Sequence, residues 1–142
     1  MADAPDLILY DLPMPHVARI TLNRPETANA QDTHLLYQLN EAFDRAAHDD
    51  EVHAIVLAAN GKHFSAGHDL MEADYAAQMG AHRTVLPVCG FGCAGVEGQM
   101  AREEEIYLGF SERWRNIPKP TIAAVQHHVD GGVSNMDDYQ RF

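Results

Sequence analysis

Residues 54–70 have the sequence AIVLAANGKHFSAGHDL. The first six residues are a continuous apolar run bounded by Asn60 and Gly61, which is typical of a strand covered on both faces of a sheet. A loop of polar and small residues follows, and Asp69 then suits the positive N-terminal end of a helix. A strand that leads through such a loop into a helix is the place where α/β folds bind ligands.

The backbone of this loop is a candidate anion site. Ser65, Ala66 and Gly67 are small, so a substrate can lie against the main chain there. The N–H groups around Gly67 and His68 would then hold a developing oxyanion, as free amides at the start of a helix do. The alternative is that the glycine serves only the turn before the helix, and the spacing of the residues leaves both interpretations open.

Upstream of this segment, the sequence predicts a β-hairpin. Residues 7–10 are a short apolar run. In residues 17–22 the even-numbered positions are all apolar, and they would share one face of a strand. Residues 11–15, which lie between them, contain an aspartate and two prolines and favour a turn. We expect the two strands to pair through this turn.

A long amphipathic helix is predicted after the hairpin. Asn29 is a candidate N-cap, with the acidic Asp32 three positions later. From Leu35 to Ala47 the apolar residues recur at helical spacing, and polar residues occupy the other face. We expect the apolar face to pack on the sheet.

Downstream, the pattern predicts two more helices and a last strand. Residues 69–78 should form a short helix, and residues 80–98, which contain five glycines, a mobile loop. Residues 100–117 should form a second long helix ended by Pro118, and residues 121–126 one more buried strand. This order of strands and helices is that of an α/β fold.

The composition of the 142 residues narrows the class of partner. Ten Lys and Arg against 21 Asp and Glu give a net charge of −11, which argues against nucleic acid and anionic membrane surfaces as partners. No apolar run approaches the roughly 20 residues of a membrane helix. The first residues lack the pattern of a signal peptide, so a cytoplasmic protein is expected.

Cysteine and histidine give no metal site. Cys89 and Cys93 are four residues apart with no second pair, and are interpreted as free thiols in a reducing compartment. His127, His128 and Asp130 are suitable ligands by type. Adjacent histidines on a strand point to opposite faces, however, so no metal is predicted there.

The second long helix carries an acidic run and two large aromatic residues. Residues 103–105 are all glutamate, which predicts a solvated helix face. Phe110 and Trp114 are interpreted as core residues and not as an acyl pocket.

Three segments follow one another along the chain: VARITLNRPE with Asn29-Ala30 in residues 17–30, AIVL with FSAGHDL in residues 54–70, and PKPTIAAVQ in residues 118–126. In this order they resemble the successive signatures of the crotonase (enoyl-CoA hydratase/isomerase) superfamily. The resemblance covers about residues 7–126, and the loop at 80–98 matches nothing in particular.

The resemblance implies a fold and a ligand. The fold would be an α/β spiral of ββα units, here truncated. The ligand would be an acyl-CoA, whose thioester carbonyl is held by two backbone N–H groups so that an enolate can form. Coenzyme A would belong to the substrate, and the resemblance implies no separate cofactor.

The same resemblance assigns residues by position. His68 would supply the first N–H, through its main chain, while its imidazole lines the pocket. Without gaps, Gly132 falls where the second N–H should be. The residues that would contact the substrate are Ala28, Ala66, Gly67, Asp69 and Leu70, with Ala66 at the adenine end of coenzyme A and Asp69 and Leu70 at the acyl site.

The resemblance also places the turn at Arg24 near the phosphates of coenzyme A. Arg24 is therefore the expected positive site on this acidic protein, and Lys62 is the second choice. The alternative for both residues is an ordinary solvated charge.

Residues 1–126 are thus interpreted as the N-terminal part of a crotonase-like domain, and residues 127–142 as a divergent C-terminal tail. The first catalytic glutamate of the family would fall on Asn135, which cannot shuttle a proton as a carboxylate does. Either the tail results from a lost reading frame or truncation, or its apolar residues form a helix that covers the sheet.

These observations predict an acyl-CoA enzyme of the enoyl-CoA hydratase/isomerase family, impaired in this short chain. The alternatives are a non-catalytic acyl-CoA binder or inactive fragment, or a complex with a separately encoded C-terminal half. Because residues 121–126 would present an unpaired strand edge, a homo-oligomer is also expected.

Overall fold

The computed structural model of the chain describes residues 6–72 and 75–126. Its elements, in order, are β1 (Ile8–Met14), β2 (Val17–Leu22), a 3₁₀ turn (Pro25–Thr27), α1 (Thr33–His48), β3 (Ala54–Ala59), α2 (Tyr75–Gly80), α3 (Val96–Glu103), a π-helical turn (Glu104–Gly109), α4 (Phe110–Arg115) and β4 (Thr121–Ala123). The predicted α/β class is confirmed.

The four strands form one sheet in the order β1-β2-β3-β4. β1 runs antiparallel to β2, whereas β2, β3 and β4 are parallel to one another, with α1 crossing over between β2 and β3. The carboxyl ends of β2 and β3 are level, because Leu22 lies opposite Ala59. The segments that follow these two strands therefore meet at one edge of the sheet.

The predicted hairpin is present, but its first strand is longer than expected. β1 continues through residues 11–14, which the sequence assigned to the turn, with an irregular register between Asp11 and Met14. The reversal is confined to Pro15 and His16, and His16 has a φ of 66°. Strand pairing thus overrides the turn preference of Asp11 and Pro13.

The first long helix begins three residues later than predicted. Its N-cap is Asp32, whose Oδ1 accepts a hydrogen bond from the N–H of Leu35 at 2.8 Å. Asn29, the predicted N-cap, has a φ of 54° and uses its side chain elsewhere. The expected apolar face is confirmed, and its buried residues that join the main core are Leu35, Leu36, Leu39, Ala42, Phe43 and Ala46.

The sheet is less covered than the sequence predicted. In β3 only Ile55 and Leu57 are buried. β4 ends at Ala123, and Ile122 and Val125 are more than half exposed, so the prediction of a buried strand over residues 121–126 is wrong in the described structure. The reason is that β4 pairs with β3 on one side and, within the described residues, with no strand on the other.

The short helix after the loop is displaced. It covers Tyr75–Gly80, whereas residues 69–72 form a turn in which the N–H of Glu72 donates to the carbonyl of Asp69. The Asp69 carboxylate is occupied by other partners, so it does not start the helix as predicted. Of the described helices, none is long and apolar enough to span a membrane.

The second long helix is interrupted by the π-helical turn, which contradicts one prediction. Phe110 and Trp114 are core residues, as expected. Glu105, predicted to be solvated, is fully buried. A π turn holds one more residue than an α turn, so the side chains before and after it no longer follow one face. Glu105 consequently points into the protein.

Both carboxylate oxygens of the buried Glu105 accept hydrogen bonds. Its Oε1 accepts hydrogen bonds from the N–H of Val85 at 2.5 Å and the hydroxyl of Tyr37 at 3.2 Å, and its Oε2 accepts one from the N–H of Leu86 at 3.0 Å. Burial, followed by the nearby carboxylate, raises the pKa of Tyr37, so the phenol keeps its proton and donates. The carboxylate thereby fastens part of the glycine-rich segment 80–98 to the helix. The mobility of that segment stays a prediction.

His82 makes the stability of this region depend on pH. Its ring stacks on Tyr37 with 4.2 Å between centroids, and its Nε2 lies 2.6 Å from Nδ1 of His34. Burial, followed by the neighbouring His34, lowers the pKa of His82. The unfolded chain, with a histidine pKa of about 6.5, therefore binds the proton first as the pH falls. The free energy of folding that depends on neutral His82 is therefore fully present above about pH 6.5, and it is lost progressively as the pH falls below that value.

We expect His82→Phe, which keeps the stacked ring, to reduce the fall in Tm between about pH 7.5 and about pH 5.5. Thermal unfolding followed by circular dichroism at a series of pH values measures this. His48→Phe is the matched control, since His48 is exposed on the same helix as His34. If wild type and His82→Phe show the same dependence on pH, the assignment to His82 is wrong.

Candidate functional site

The turn at residues 64–70 lies at the carboxyl edge of the parallel strands, between β3 and α2. Backbone hydrogen bonds tie it to the segment that precedes α1. The N–H of Ala66 donates to the carbonyl of Ala28 at 2.9 Å, and the N–H of Gln31 donates to the carbonyl of Gly67 at 2.8 Å. The N–H of Asp69 donates in turn to the carbonyl of Gln31 at 3.0 Å. The turn is therefore held as a short parallel bridge.

Asn29 is the internal support of this turn. It is fully buried, and its Nδ2 donates to the carbonyls of Asn60 and His63 at 2.9 and 2.8 Å. Its Oδ1 accepts from the N–H of Arg24 at 2.8 Å. One asparagine side chain thus joins the ends of β2 and β3, which explains why it is unavailable as an N-cap.

Ser65 and Gly67 set the shape of the turn itself. The Ser65 hydroxyl donates to the carbonyl of Asn29 at 2.9 Å and accepts from the N–H of Gly67 at 3.1 Å. Gly67 has a φ of +83°, a conformation that residues with a Cβ rarely adopt. The small residues of the motif are therefore required by the backbone path, whatever ligand the turn holds.

The amide of His68 stands out among its neighbours. The N–H groups of Gly67 and Asp69 on either side each donate a hydrogen bond, whereas the His68 N–H donates none within the described residues. Ala66, His68 and Leu70 are exposed. Among the described residues the N–H of His68 thus has no acceptor, as is also the case for the N–H of Leu70, and the His68 amide is the one the resemblance pointed to.

The imidazole of His68 packs on Tyr107 of the π-helical turn. The two rings are stacked, with 3.7 Å between centroids and 22° between planes. Burial is the main cause that lowers the pKa of His68 and that raises the pKa of Tyr107. Both rings are therefore uncharged near neutral pH.

Arg24 has different partners from those expected. Its Nη1 lies 2.6 Å from Oδ2 of Asp69 and 3.4 Å from Oδ2 of Asp32, and it donates to the carbonyl of Ala30 at 2.9 Å. One guanidinium therefore faces two carboxylates, so Arg24 is not the ordinary solvated charge of the alternative interpretation. The physical reason is that Asp69, predicted to line the acyl site, turns toward Arg24. Contact of Arg24 with a phosphate stays a prediction.

The remaining predicted contact residues differ in exposure. Leu70 is 91% exposed and the adjacent Met71 is 89% exposed, so an apolar surface lies next to His68. Ala28, with a φ of 54°, is half-buried beside the turn. Lys62 is exposed and forms no ion pair within the described residues.

Two hollows in the surface lie away from this turn. One, of about 460 Å³, is formed by the hairpin end around His16 together with Glu51 and Val52. The other, of about 620 Å³, lies between α1 and α4 and includes Trp114 and Arg113. Neither includes residues 64–70, so the candidate site is an exposed face of the turn and does not belong to either hollow.

Sequence reasoning missed the groups that α3 and the π-helical turn bring to this face. Arg102 pairs with Glu72 at 2.9 Å, and Glu72 also accepts a hydrogen bond from the N–H of Thr33 at 3.2 Å. Tyr107 reaches His68 from a position 39 residues away in sequence. No local pattern marks these contacts, because they depend on how α3 and the π-helical turn approach residues 68–72 and the start of α1.

Several predicted residues lie outside the described part of the chain. They are Gly132, Asn135, and the candidate ligands His127, His128 and Asp130. Within residues 6–72 and 75–126, no group of three or more His, Cys, Asp or Glu side chains is arranged to hold a metal ion.

Comparison with known proteins identifies a family that the chain matches. A family model described as enoyl-CoA hydratase/isomerase matches residues 14–87. EchA13 of Mycobacterium tuberculosis, whose name places it among enoyl-CoA hydratases, is 41% identical over 80% of this chain and 36% of its own length. A trans-2-decenoyl-[acyl-carrier-protein] isomerase of Streptococcus mutans is 30% identical over 84% of this chain and 40% of its own length.

A solved structure agrees. The crystal structure of a probable enoyl-CoA hydratase from Mycobacterium thermoresistibile superposes with a TM-score of 0.67 and 47% identity, over 86% of this chain and 42% of that one. The chain thus spans about two fifths of the length of its relatives. The resemblance to the crotonases is confirmed, and the chain belongs to the enoyl-CoA hydratase/isomerase family.

Proposed function

We propose that this chain holds the thioester of an acyl-CoA at the turn of residues 64–70, with the His68 N–H directed at the thioester carbonyl oxygen. The observation that carries the proposal is the free amide of His68, which lies between two amides that are already bonded. Membership of the family supports the choice of ligand. The reaction is the reversible hydration or isomerisation of an enoyl-CoA through a thioester enolate.

The free amide suits this chemistry because charge develops on the carbonyl oxygen as the enolate forms. A fixed N–H stabilises that charge without having to reorient, and loss of one such donor costs roughly 3 kcal/mol in enzymes that use it. The bridge with Gln31 and the left-handed Gly67 keep the amide in place. Gly132 is the proposed second donor.

The coenzyme end of the ligand would lie along the edge formed by the 3₁₀ turn and the loop after β3. Gly61 packs against Pro25 there, since a Cβ added at Gly61 would come within 2.6 Å of the Pro25 side chain. Lys62 projects from this loop and is the more available cation for a phosphate, because Arg24 is paired with carboxylates. Ala28 and Ala66 are the small residues proposed to meet the adenine end.

A second candidate function is binding without efficient turnover. Asn135 at the position of the family's first catalytic glutamate favours it, because an amide cannot direct water and proton as a carboxylate does. Following the loss of the conjugated absorbance of crotonyl-CoA separates the two. Turnover above the buffer rate supports the enzyme, and binding without turnover supports the binder.

The His68 amide can be tested by comparing His68→Pro, which deletes the N–H, with His68→Phe, which keeps the N–H and a ring that can stack on Tyr107. We expect His68→Pro to bind crotonyl-CoA at least about tenfold more weakly, which is about 1.4 kcal/mol, and His68→Phe to stay within about threefold of wild type. Titration calorimetry measures both affinities.

Free coenzyme A is the internal control, because it has no thioester carbonyl. His68→Pro should bind it as wild type does. Equal losses for coenzyme A and crotonyl-CoA would mean that the variant has lost its fold, and circular dichroism checks this. A His68→Pro protein with wild-type affinity for crotonyl-CoA would refute the proposal.

A further inference from the structure

We infer that Tyr107 is a positioning residue for the His68 amide, held in place from the interior of the protein by the π-helical turn. The inference rests on the proposed function, and it adds to that function a residue from a different part of the chain.

The rings of His68 and Tyr107 are in direct contact. His68 is exposed, and the ring contact it makes within the described residues is the stack on Tyr107, at 3.7 Å between centroids. Its main chain is bridged to Gln31 on the other side. His68 is therefore held through its main chain by the bridge and through its imidazole by the Tyr107 ring, and removing that ring leaves the side chain without support.

Tyr107 can act as a support only if something else holds it. The π-helical turn Glu104–Gly109 places Glu105 inside, where the N–H groups of Val85 and Leu86 donate to its carboxylate. The turn is therefore anchored through contacts that are independent of His68.

Gly109 allows the close packing behind this turn. A Cβ at this position would lie 1.8 Å from Cδ1 of Leu86 and 2.8 Å from the carbonyl oxygen of Glu104. Leu86 thus packs directly against the backbone of the turn, which further limits how far Tyr107 can move.

A second contact, besides the ring stack, joins the segment 68–72 to α3. Arg102, two residues before the π-helical turn, pairs with Glu72 at 2.9 Å, and its guanidinium carbon is 5.7 Å from the centre of the Tyr107 ring. Glu72 lies four residues after His68. The segment 68–72 is therefore fastened to the helix at both ends, by the stack and by a mostly buried ion pair whose carboxylate side chain is 4% exposed.

The consequence is selective for the thioester. Loss of the Tyr107 ring should let the His68 peptide rotate, which weakens a hydrogen bond to the carbonyl oxygen because such bonds depend steeply on angle. Contacts with coenzyme A on the far side of the turn should persist. A residue that supports only the fold would lower both affinities together.

The test compares Tyr107→Phe, which keeps the ring, with Tyr107→Ala, and uses Leu108→Ala as the matched control because Leu108 is 67% exposed on the same turn. In the free protein, the backbone ¹⁵N order parameter of His68 should be lower in Tyr107→Ala and at the wild-type value in the other two. Nuclear magnetic resonance measures this without any ligand.

With ligand, the ratio of crotonyl-CoA to coenzyme A affinity should fall about threefold to tenfold in Tyr107→Ala and be restored in Tyr107→Phe. The infrared shift of the bound thioester carbonyl should decrease in parallel. An unchanged His68 order parameter and an unchanged affinity ratio in Tyr107→Ala would overturn the inference, as would equal losses for both ligands.

The two proposals fail in different ways. If wild type binds crotonyl-CoA no better than coenzyme A and His68→Pro changes nothing, the proposed function is wrong. The order parameter of the His68 amide then still decides whether Tyr107 positions it.

Discussion

Glu105→Ala is expected to lower the free energy of unfolding by about 3 kcal/mol, since hydrogen bonds to a charged acceptor contribute about 1.5–3 kcal/mol each and are not additive. Glu105 is fully buried and accepts hydrogen bonds from Tyr37, Val85 and Leu86. Alanine would leave the two amides and the hydroxyl without an acceptor in a space that also loses packing. Equilibrium unfolding in urea measures the difference.

Two variants identify the cause. Glu105→Gln keeps the shape but retains one acceptor oxygen, so its loss should be smaller, at about 1–2 kcal/mol. Glu104→Ala, one residue earlier and exposed, should change stability by less than about 0.5 kcal/mol. If Glu105→Ala is no more destabilising than Glu104→Ala, the buried carboxylate is not the anchor of the π-helical turn.

Arg24→Met is expected to lower the free energy of unfolding by about 3 kcal/mol, because removing one partner of a buried ion pair leaves an uncompensated charge. The side chains of Asp69 and Asp32, which would lose their partner, are only 12% and 11% exposed. The same change should weaken binding of crotonyl-CoA, since Asp69 belongs to the turn that holds the His68 amide. Urea unfolding and titration calorimetry measure the two effects.

The matched control is Arg19→Met. Arg19 also pairs with an aspartate at 2.6 Å, but both side chains of that pair are 46% exposed, so Arg19→Met should destabilise the protein far less than Arg24→Met does. The double variant Arg24→Met, Asp69→Asn should recover part of the loss, because one of the two carboxylates is neutralised. A stable Arg24→Met protein that binds coenzyme A poorly would instead favour the phosphate contact.

Together these contacts explain how a short, acidic chain holds a rigid backbone site. Asn29 donates a hydrogen bond to the loop before the turn, Arg24 pairs with Asp69 at the end of the turn, and Tyr107 stacks on the His68 ring. The N–H groups on either side of His68 donate hydrogen bonds within the protein, whereas the His68 N–H has no acceptor among the described residues. Stability of the turn and binding of the thioester are therefore expected to change together when the internal supports are removed.

The features that the sequence predicted correctly are local. The hairpin, the apolar face of α1 and the strand before the turn each follow from a repeat of two or of 3.6 residues, and the small residues of FSAGHDL are required by the backbone path. The family could be recognised for the same reason, because its signatures are short contiguous segments whose spacing survives in the chain.

The errors arose where a residue's partner lies far along the chain. Asn29 looked like an N-cap but supports a loop 31–34 residues away, and the acidic run at 103–105 looked solvated although Glu105 reaches a tyrosine 68 residues away. The ion pair of Arg24 was not predicted, because Asp69, 45 residues on, could not be placed beside it from spacing.

The order of strands and helices, the turn that carries the site and the family therefore follow from the amino-acid sequence, since backbone periodicity and glycine placement are properties of neighbouring residues. Which amide is left without an acceptor follows from the bridge to Gln31, and which charges are neutralised follows from the approach of Arg24 to Asp69. Which ring supports His68 follows from the packing of the π-helical turn against the turn at 64–70. That packing depends on contacts between distant residues, and no local pattern encodes them.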